Sequence, residues 1–139
     1  MKRCCILGQK RLCDDEQDKV YEAVFEQIDK LIEQGYDEFI FGKDGDFNSL
    51  SHTAVLVSKM KWSFDIKRMY YTKHNKDTKT LYQIYDAVVA VKDKLHEVMI
   101  DNADFCIFYA RNNVGELKKA MEYAIAKGKV FINLARTEV

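Results

Sequence analysis

Three glycine-containing segments carry side chains suited to binding an anionic ligand. They comprise residues 8–12, 42–48 and 112–116, and each stands between an apolar run and an amphipathic segment. Glycine lets backbone N–H groups approach a ligand closely, a helix N-terminus favours anions, and Lys10, Arg11 and Lys43 add positive charge. We therefore predict a phosphate-bearing ligand such as a nucleotide, although tight turns alone would also require these glycines. The phosphate-binding fingerprints GxGxxG and GxxxxGKS/T are both absent.

Four further side chains each have a functional and a structural interpretation. Glu116 could act as nucleophile or general base toward a glycosidic carbon, or be an acidic residue favoured in a first helical turn. Asp46 could accept a hydrogen bond from a ribose hydroxyl or cap the helix that follows it. His52 could face a ligand or lie partly buried on that helix, and His96 is expected on a solvated helix surface.

The cysteines do not indicate a metal site. They occupy positions 4, 5, 13 and 106 without a CxxC pair, which argues against a disulfide framework. A zinc site built from Cys4, Cys5 and Cys13 is disfavoured, because adjacent residues of a strand point to opposite faces. We predict neither a metal ion nor another cofactor.

The charge balance bears on nucleic acid as a partner. Among 139 residues, 22 are basic and 22 are acidic, which argues against coating nucleic acid or an anionic membrane through bulk charge. Residues 67–79 form a basic run interleaved with Tyr70 and Tyr71, a combination that can bind single-stranded nucleic acid. Because Asp77 lies inside this run, a solvated loop is the preferred interpretation, and nucleic acid is not the predicted partner.

The cellular location of the protein is predicted from two features that the sequence lacks, a membrane span and a signal peptide. No apolar run approaches the roughly 18 residues of a membrane span, so no membrane partner is expected. Residues 1–7 are too short for a signal peptide, and we therefore expect a cytoplasmic protein.

Apolar runs and amphipathic segments alternate along the chain. Predicted strands are 4–7, 38–41, 65–71, 105–109 and 130–134, and predicted helices run from 14 or 15 to 35, from 47 to 61 and from 117 to 128. Residues 88–102 are ambiguous, since Val88 suits a strand and Leu95 a helix. In the second helix we expect Leu50, Ala54 and Val57 to face inward.

Several of these strands are apolar on both faces, which is typical of a parallel sheet covered by helices. We predict a single α/β domain over residues 1–139. It is expected to be a Rossmann-like three-layer sandwich, with a mostly parallel sheet of about five strands and helices on both faces.

Four stretches, in their order along the chain, resemble the SLOG superfamily, in particular its small YspA/YpsA-like branch. Residues 4–10 end in Gly-Gln-Lys where members have a strand followed by Gly-His-Arg. Residues 41–52 closely match a Phe-Gly-Ser-x-x-x-Phe-Asn-x-Leu-x-His stretch. Residues 99–109 are similar to a Met-Ile-x-x-Ser-Asp strand, and residues 120–134 to a closing Tyr-Ala-x-x-x-x-Lys-x-Ile-Ile-Asn-Leu.

The resemblance implies a Rossmann-like fold, a nucleotide-derived ligand and a homo-oligomer, a dimer or larger. Relatives elsewhere in the superfamily include cytokinin-activating phosphoribohydrolases and DprA-type DNA-binding proteins. This chain departs from them, because the phosphoribohydrolase pattern Gly-Gly-x-Gly-Thr-x-x-Glu is absent at residues 115–119. Gln9 and Lys10 replace the family's His-Arg, and lysine does not clamp a planar or phosphate group as a guanidinium does.

A divergent SLOG-like protein is therefore expected, which binds a nucleotide-derived small molecule for sensing or sequestration at the carboxyl edge of a parallel sheet. One alternative is an N-glycosidic-bond hydrolase or transferase acting on nucleotides, with Glu116 as its catalytic residue. Nucleic-acid binding is the third candidate function. The candidate ligand-binding residues are Gly8, Gln9, Lys10, Arg11, Gly42, Lys43, Asp46, Asn48, His52, Gly115 and Glu116.

Overall fold

The computed structural model describes residues 2–42, 45–73, 81, 83–112 and 115–136. The strands in these ranges are β1 (Lys2–Gly8), β2 (Tyr36–Gly42), β3 (Lys67–Thr72), β4 (Ala87–Ala90), β5 (Phe105–Tyr109) and β6 (Val130–Asn133). The helices are α1 (Gln17–Glu33), α2 (Asp46–Trp62), α3 (Leu95–Asp101) and α4 (Gly115–Ala126), and a 3-10 turn, Leu134–Arg136, follows β6. No helix in these ranges has the combined length and apolar character that crossing a membrane requires.

The six strands in the described ranges form one sheet in the order β4-β3-β2-β1-β5-β6, and every neighbouring pair is parallel. From β1 the chain adds strands on one side as far as β4. It then crosses to the other side of β1 to add β5 and β6. The predicted α/β fold, a Rossmann-like parallel sheet between helices, is confirmed.

Successive strand residues enter two separate cores. Cys4 and Phe41 belong to the core on the side of α1 and α2. Cys5 and Cys106 belong to the core on the side of α3 and α4, where they are direct neighbours across β1 and β5. Cys4 and Cys5 thus point to opposite faces of β1, as the strand geometry predicts, and Cys13 is exposed.

Helix α1 packs against the sheet through buried side chains at helical spacing. These are Val20, Val24, Ile28, Leu31 and Ile32. The helix begins later than predicted, because Glu16 rather than residue 14 or 15 occupies the N-cap position. The Glu16 carboxylate accepts a hydrogen bond from the backbone N–H of Cys13 at 2.8 Å. The helix ends before Gly35, whose φ of 99° is the left-handed conformation that glycine adopts readily.

The inward face of α2 differs from the prediction. Ala54 is buried as expected, but Val57 is 42% exposed and Leu50 is only partly buried. The buried residues of this helix are Phe47, Asn48, Ser51, Ala54, Val55 and Ser58. Apolar spacing misplaced the face because two serines lie on it. Ser58 is stabilised there by donating a hydrogen bond to Asp29 of α1 at 2.8 Å.

Residues 88–102 contain both of the elements that their sequence suggested. Strand β4 pairs with β3 and ends at Ala90, and α3 starts at Leu95. Strand β4 brings the sheet to six strands instead of about five. Lys94, between the two elements, has a left-handed backbone with φ of 53°.

Candidate ligand-binding site at the carboxyl edge of the sheet

Strand order reverses at β1, and a cavity of about 550 Å³, named here the switch-point cavity, lies beside the carboxyl end of β1. Gly42 at the end of β2 and the first turn of α4 also lie on its wall. Ligands of open parallel sheets bind at this position. The turn after β1 is anchored there, because the backbone N–H of Gln9 donates to the carbonyl oxygen of Tyr109 at 3.1 Å. The cavity is lined by Ile6, Leu7, Gly8, Gln9, Lys10, Arg11, Gly42, Gly45, Asn48, His96, Glu116 and Leu117.

Two glycines allow close packing around this cavity. A Cβ atom on Gly8 would stand 2.1 Å from Cδ2 of Phe47, whose ring stacks on Tyr109 at a centroid distance of 5.4 Å. A Cβ atom on Gly45 would stand 2.9 Å from the Cα atom of Lys10. Both glycines are therefore required by packing, whatever the cavity binds.

Asp46 joins the two loops that border the cavity. Its backbone N–H donates to the carbonyl oxygen of Lys10, and its Oδ2 accepts from the backbone N–H of Leu12, both at 2.8 Å. Gly45 rather than Asp46 occupies the N-cap position of α2. The carboxylate of Asp46 thus fixes residues 10–12 against the start of α2.

Gln9 connects the turn after β1 to the segment after β5. Its Oε1 accepts a hydrogen bond from the backbone N–H of Arg111 at 2.7 Å. The Arg111 guanidinium in turn donates to Glu16 at 2.9 Å. Gln9 therefore orders the two loops at the switch point.

Asn48 is buried, lines the switch-point cavity and is only partly hydrogen-bonded. Its Nδ2 donates to the Tyr85 hydroxyl at 3.2 Å, whereas Oδ1 has no hydrogen-bond partner within the described residues. A buried polar atom without a partner costs about 1–3 kcal/mol.

His52 lies one turn further along α2, outside the lining of the switch-point cavity. Its ring packs edge-on against Phe41 and Tyr85, and its Nε2 lies 3.3 Å from Nη1 of Arg68. Because arginine can only donate, Nε2 must be the acceptor. Burial lowers the pKa of His52 below its ordinary value, and the charge of Arg68 lowers it further.

A second cavity of about 820 Å³ adjoins the first, and we name it the β3-side cavity. Its lining includes the end of β3, the start of α3 and one side of α4: Lys10, Tyr70, Tyr71, Thr72, Lys73, Lys94, Leu95, His96, Glu97, Glu116, Lys119, Ala120 and Tyr123. Lys10, His96 and Glu116 line both cavities. The two spaces are therefore neighbouring parts of one groove along the carboxyl edge.

Glu116 and His96 both reach this groove. Glu116 lies in the first turn of α4 with an exposed side chain, which fits both interpretations of its sequence position. His96 was expected on a solvated surface, but it is partly buried in the wall between the cavities. Gly115, at φ of 70°, starts α4.

The structure brings most of the candidate ligand-binding residues together. Those on the switch-point cavity are Gly8, Gln9, Lys10, Arg11, Gly42, Asn48 and Glu116. Asp46, His52 and Gly115 are not part of either lining, and Lys43 lies outside the described residues.

The basic run at residues 67–79 is only partly described, since residues 74–80 lie outside the described ranges. Arg68 bonds Asp86, and Lys73 forms an ion pair with Asp93 at 3.7 Å. These two cations are thus paired with carboxylates.

The comparisons with known proteins support the fold. The X-ray structure of TM1055, a Northeast Structural Genomics Consortium target, matches with a TM-score of 0.64 and 16% sequence identity, covering 94% of this chain and 72% of that chain. No family model and no curated protein matches the chain. The likeness to TM1055 places the chain among Rossmann-like α/β proteins.

Tyr85 and His96 are site residues that sequence reasoning missed. Tyr85 contacts Asn48 across 37 sequence positions, and no local pattern signals such a pair. His96 had a weak signal, because it stands beside Leu95 at the start of the possible helix in the ambiguous residues 88–102, and side chains at such a helix start approach the carboxyl edge.

Proposed function

We propose that this chain is a divergent SLOG-like protein that binds a nucleotide-derived small molecule in the switch-point cavity. The observation that carries the proposal is the position of this cavity at the reversal of strand order, with the turn 8–11 on its wall. Backbone N–H groups of a glycine turn and the cations Lys10 and Arg11 suit a phosphate. The resemblance of residues 41–52 supports the family assignment.

We further propose a sensing or sequestering role in a homodimer or larger homo-oligomer, as the resemblance implies. Native mass spectrometry of the protein purified from cells tests both parts in one spectrum. A retained mass in the nucleotide range and a multiple of the protomer mass are expected. A monomer spectrum would contradict the oligomer.

The binding test measures thermal unfolding and calorimetric affinity with AMP, ADP-ribose and NAD. A ligand at 100 times its Kd should add about 2.7 kcal/mol to the free energy of unfolding. Lys10→Glu reverses a charge on the cavity wall and should weaken binding by about tenfold, or ~1.4 kcal/mol. Lys19→Glu, on the exposed face of α1, is the matched control and should bind like wild type. If no nucleotide changes unfolding, the proposed function is wrong.

The alternative of an N-glycosidic-bond hydrolase or transferase is favoured by one observation, the position of Glu116 on both cavities. In hydrolysis, water would add to C1′ of the ribose and give a proton to Glu116 while the glycosidic bond breaks. The base of a nucleoside monophosphate would leave with a proton from solvent, and the nicotinamide of NAD would leave as the neutral base. Glu116 would act as general base. Incubation with nucleoside monophosphates and NAD, followed by detection of released base, tests this role. Activity that survives in Glu116→Gln would exclude it.

A further inference from the structure

The carboxamide of Asn48, in the lining of the switch-point cavity, has a hydrogen-bond partner at only one of its two ends among the described residues. The side chain is only 9% exposed, its Nδ2 donates to Tyr85, and its Oδ1 is buried without a hydrogen-bond partner among the described residues. Buried carbonyl oxygens are rarely left unpaired in folded proteins, so a donor is expected to reach this atom.

Tyr85 fixes the orientation of this carboxamide. Its side chain is buried, and its ring packs against Tyr70 at 4.8 Å, His52 at 5.0 Å and Phe41 at 5.8 Å between centroids. Because packing on three sides restrains the ring, the hydroxyl oxygen is held where it accepts from Nδ2 of Asn48, and Oδ1 is the end of the carboxamide left without a partner among the described residues.

The polarity of Oδ1 defines which part of a ligand it can bind. A neutral carbonyl oxygen accepts hydrogen bonds and repels the oxygens of a phosphate, which are also acceptors. Lys10 and Arg11 on the same cavity supply the cations for an anionic group. Asn48 is therefore suited to an uncharged O–H or N–H of the same ligand.

We propose that Asn48 determines ligand specificity by accepting a hydrogen bond from a neutral hydroxyl or amine of the ligand, with Tyr85 as its positioning residue. This inference rests on the proposed function and deepens it. A site built to pair with a donor rejects an analogue that lacks the donor, because the acceptor then stays buried and unpaired.

The experiment measures calorimetric Kd values for AMP and three analogues that each lack one donor. These are 2′-deoxy-AMP, 3′-deoxy-AMP and purine riboside 5′-monophosphate, which distinguish the two ribose hydroxyls from the amine of the base. Wild type should bind one analogue at least tenfold more weakly than AMP. Asn48→Leu should reduce this ratio to about one, whereas Asn48→Asp, which keeps an acceptor, should retain it. Tyr85→Phe should reduce the ratio, since the carboxamide is no longer held.

The control variant is Ser51→Ala. Ser51 is buried one turn along α2, and its hydroxyl oxygen has no hydrogen-bond partner in the part of the chain that the structure describes. It lies outside the lining of both cavities, so the ratio should not change. Equal binding of AMP and all three analogues to wild type would overturn the inference and leave the proposed function standing, as would an unchanged ratio in Asn48→Leu. Failure of AMP to bind would also overturn it, and the proposed function would then depend on ADP-ribose and NAD.

Discussion

At the scale of single residues, Gly8 determines how closely α2 can approach the end of β1. The ring of Phe47 occupies the space that any larger side chain at position 8 would need. We predict that Gly8→Ala lowers the free energy of unfolding by about 1–3 kcal/mol, the usual cost of overpacking a tight core. Urea denaturation measures the change.

The double variant Gly8→Ala, Phe47→Leu is the control for this clash. Replacing the ring removes the atoms that the new methyl group meets, so the two destabilisations should sum to more than that of the double variant. Strict additivity would mean that Gly8 is needed for another reason.

Sequence reasoning found individual site residues only where a local pattern marked them. Gly8 and Lys10 stand out because a glycine turn follows an apolar run, and Asn48 was found through the resemblance of residues 41–52. The role of Gln9 was not predictable, since its partner Arg111 lies 102 positions away. Contacts of this kind depend on strand order, which local spacing does not encode.

At the scale of elements, the first residue of α2 holds the loop after β1. We predict that Asp46→Ala destabilises the protein by about 1–3 kcal/mol, because the charge-assisted bond to the N–H of Leu12 is lost. Nucleotide affinity should also fall, since residues 10–12 carry the cations of the switch-point cavity. Urea denaturation and calorimetry measure the two effects.

Asp18→Ala is the matched control for this variant. Asp18 is also an acidic residue in a first helical turn, on α1, and its side chain is exposed. Its replacement removes a comparable interaction with the helix dipole, worth about 0.3–1 kcal/mol, without touching the loop. If Asp46→Ala and Asp18→Ala lose the same free energy of unfolding, the contact between Asp46 and the loop adds no stability.

Helices and strands were predictable where one period dominated the sequence. Strand β5 is an unbroken apolar run, and α1 repeats apolar residues at helical spacing. The inner face of α2 was not, because two serines are buried on it, and of these Ser58 is stabilised by Asp29 on α1. Residues 88–102 were ambiguous because a four-residue edge strand and a seven-residue helix lie too close together for either period to develop.

At the scale of the whole molecule, the fold follows from strands that are apolar on both faces. Such strands require a helical layer on each side, and right-handed crossovers then leave few arrangements. Strand β5 pairs with β1 although the two segments lie about 100 residues apart in the sequence. No local sequence pattern indicates this pairing. This pairing creates the switch point, so the position of the candidate site follows from the topology.

The folding equilibrium should respond to pH through His52. The unfolded chain binds a proton at this residue with an ordinary pKa near 6.5, whereas burial and the charge of Arg68 lower the pKa in the folded protein. Because the unfolded state then binds more protons, the stabilisation is present above pH 6.5 and is lost as pH falls toward the folded-state pKa. Asp29 and Asp86 also have lowered pKa values, but their contributions are lost only at pH values below about 3.8.

We therefore predict that the thermal midpoint falls between pH 7.5 and pH 5.5, and that His52→Gln reduces this fall. Glutamine keeps a polar side chain beside Arg68 but does not titrate, so any loss of packing should lower the midpoint equally at both pH values. His96→Gln is the control, since it removes a histidine of α3, which packs on the opposite face of the sheet from the core that contains Tyr85. Calorimetric scans across this pH range measure the effect. If the thermal midpoint of His52→Gln falls as much as that of wild type, another group causes the pH dependence.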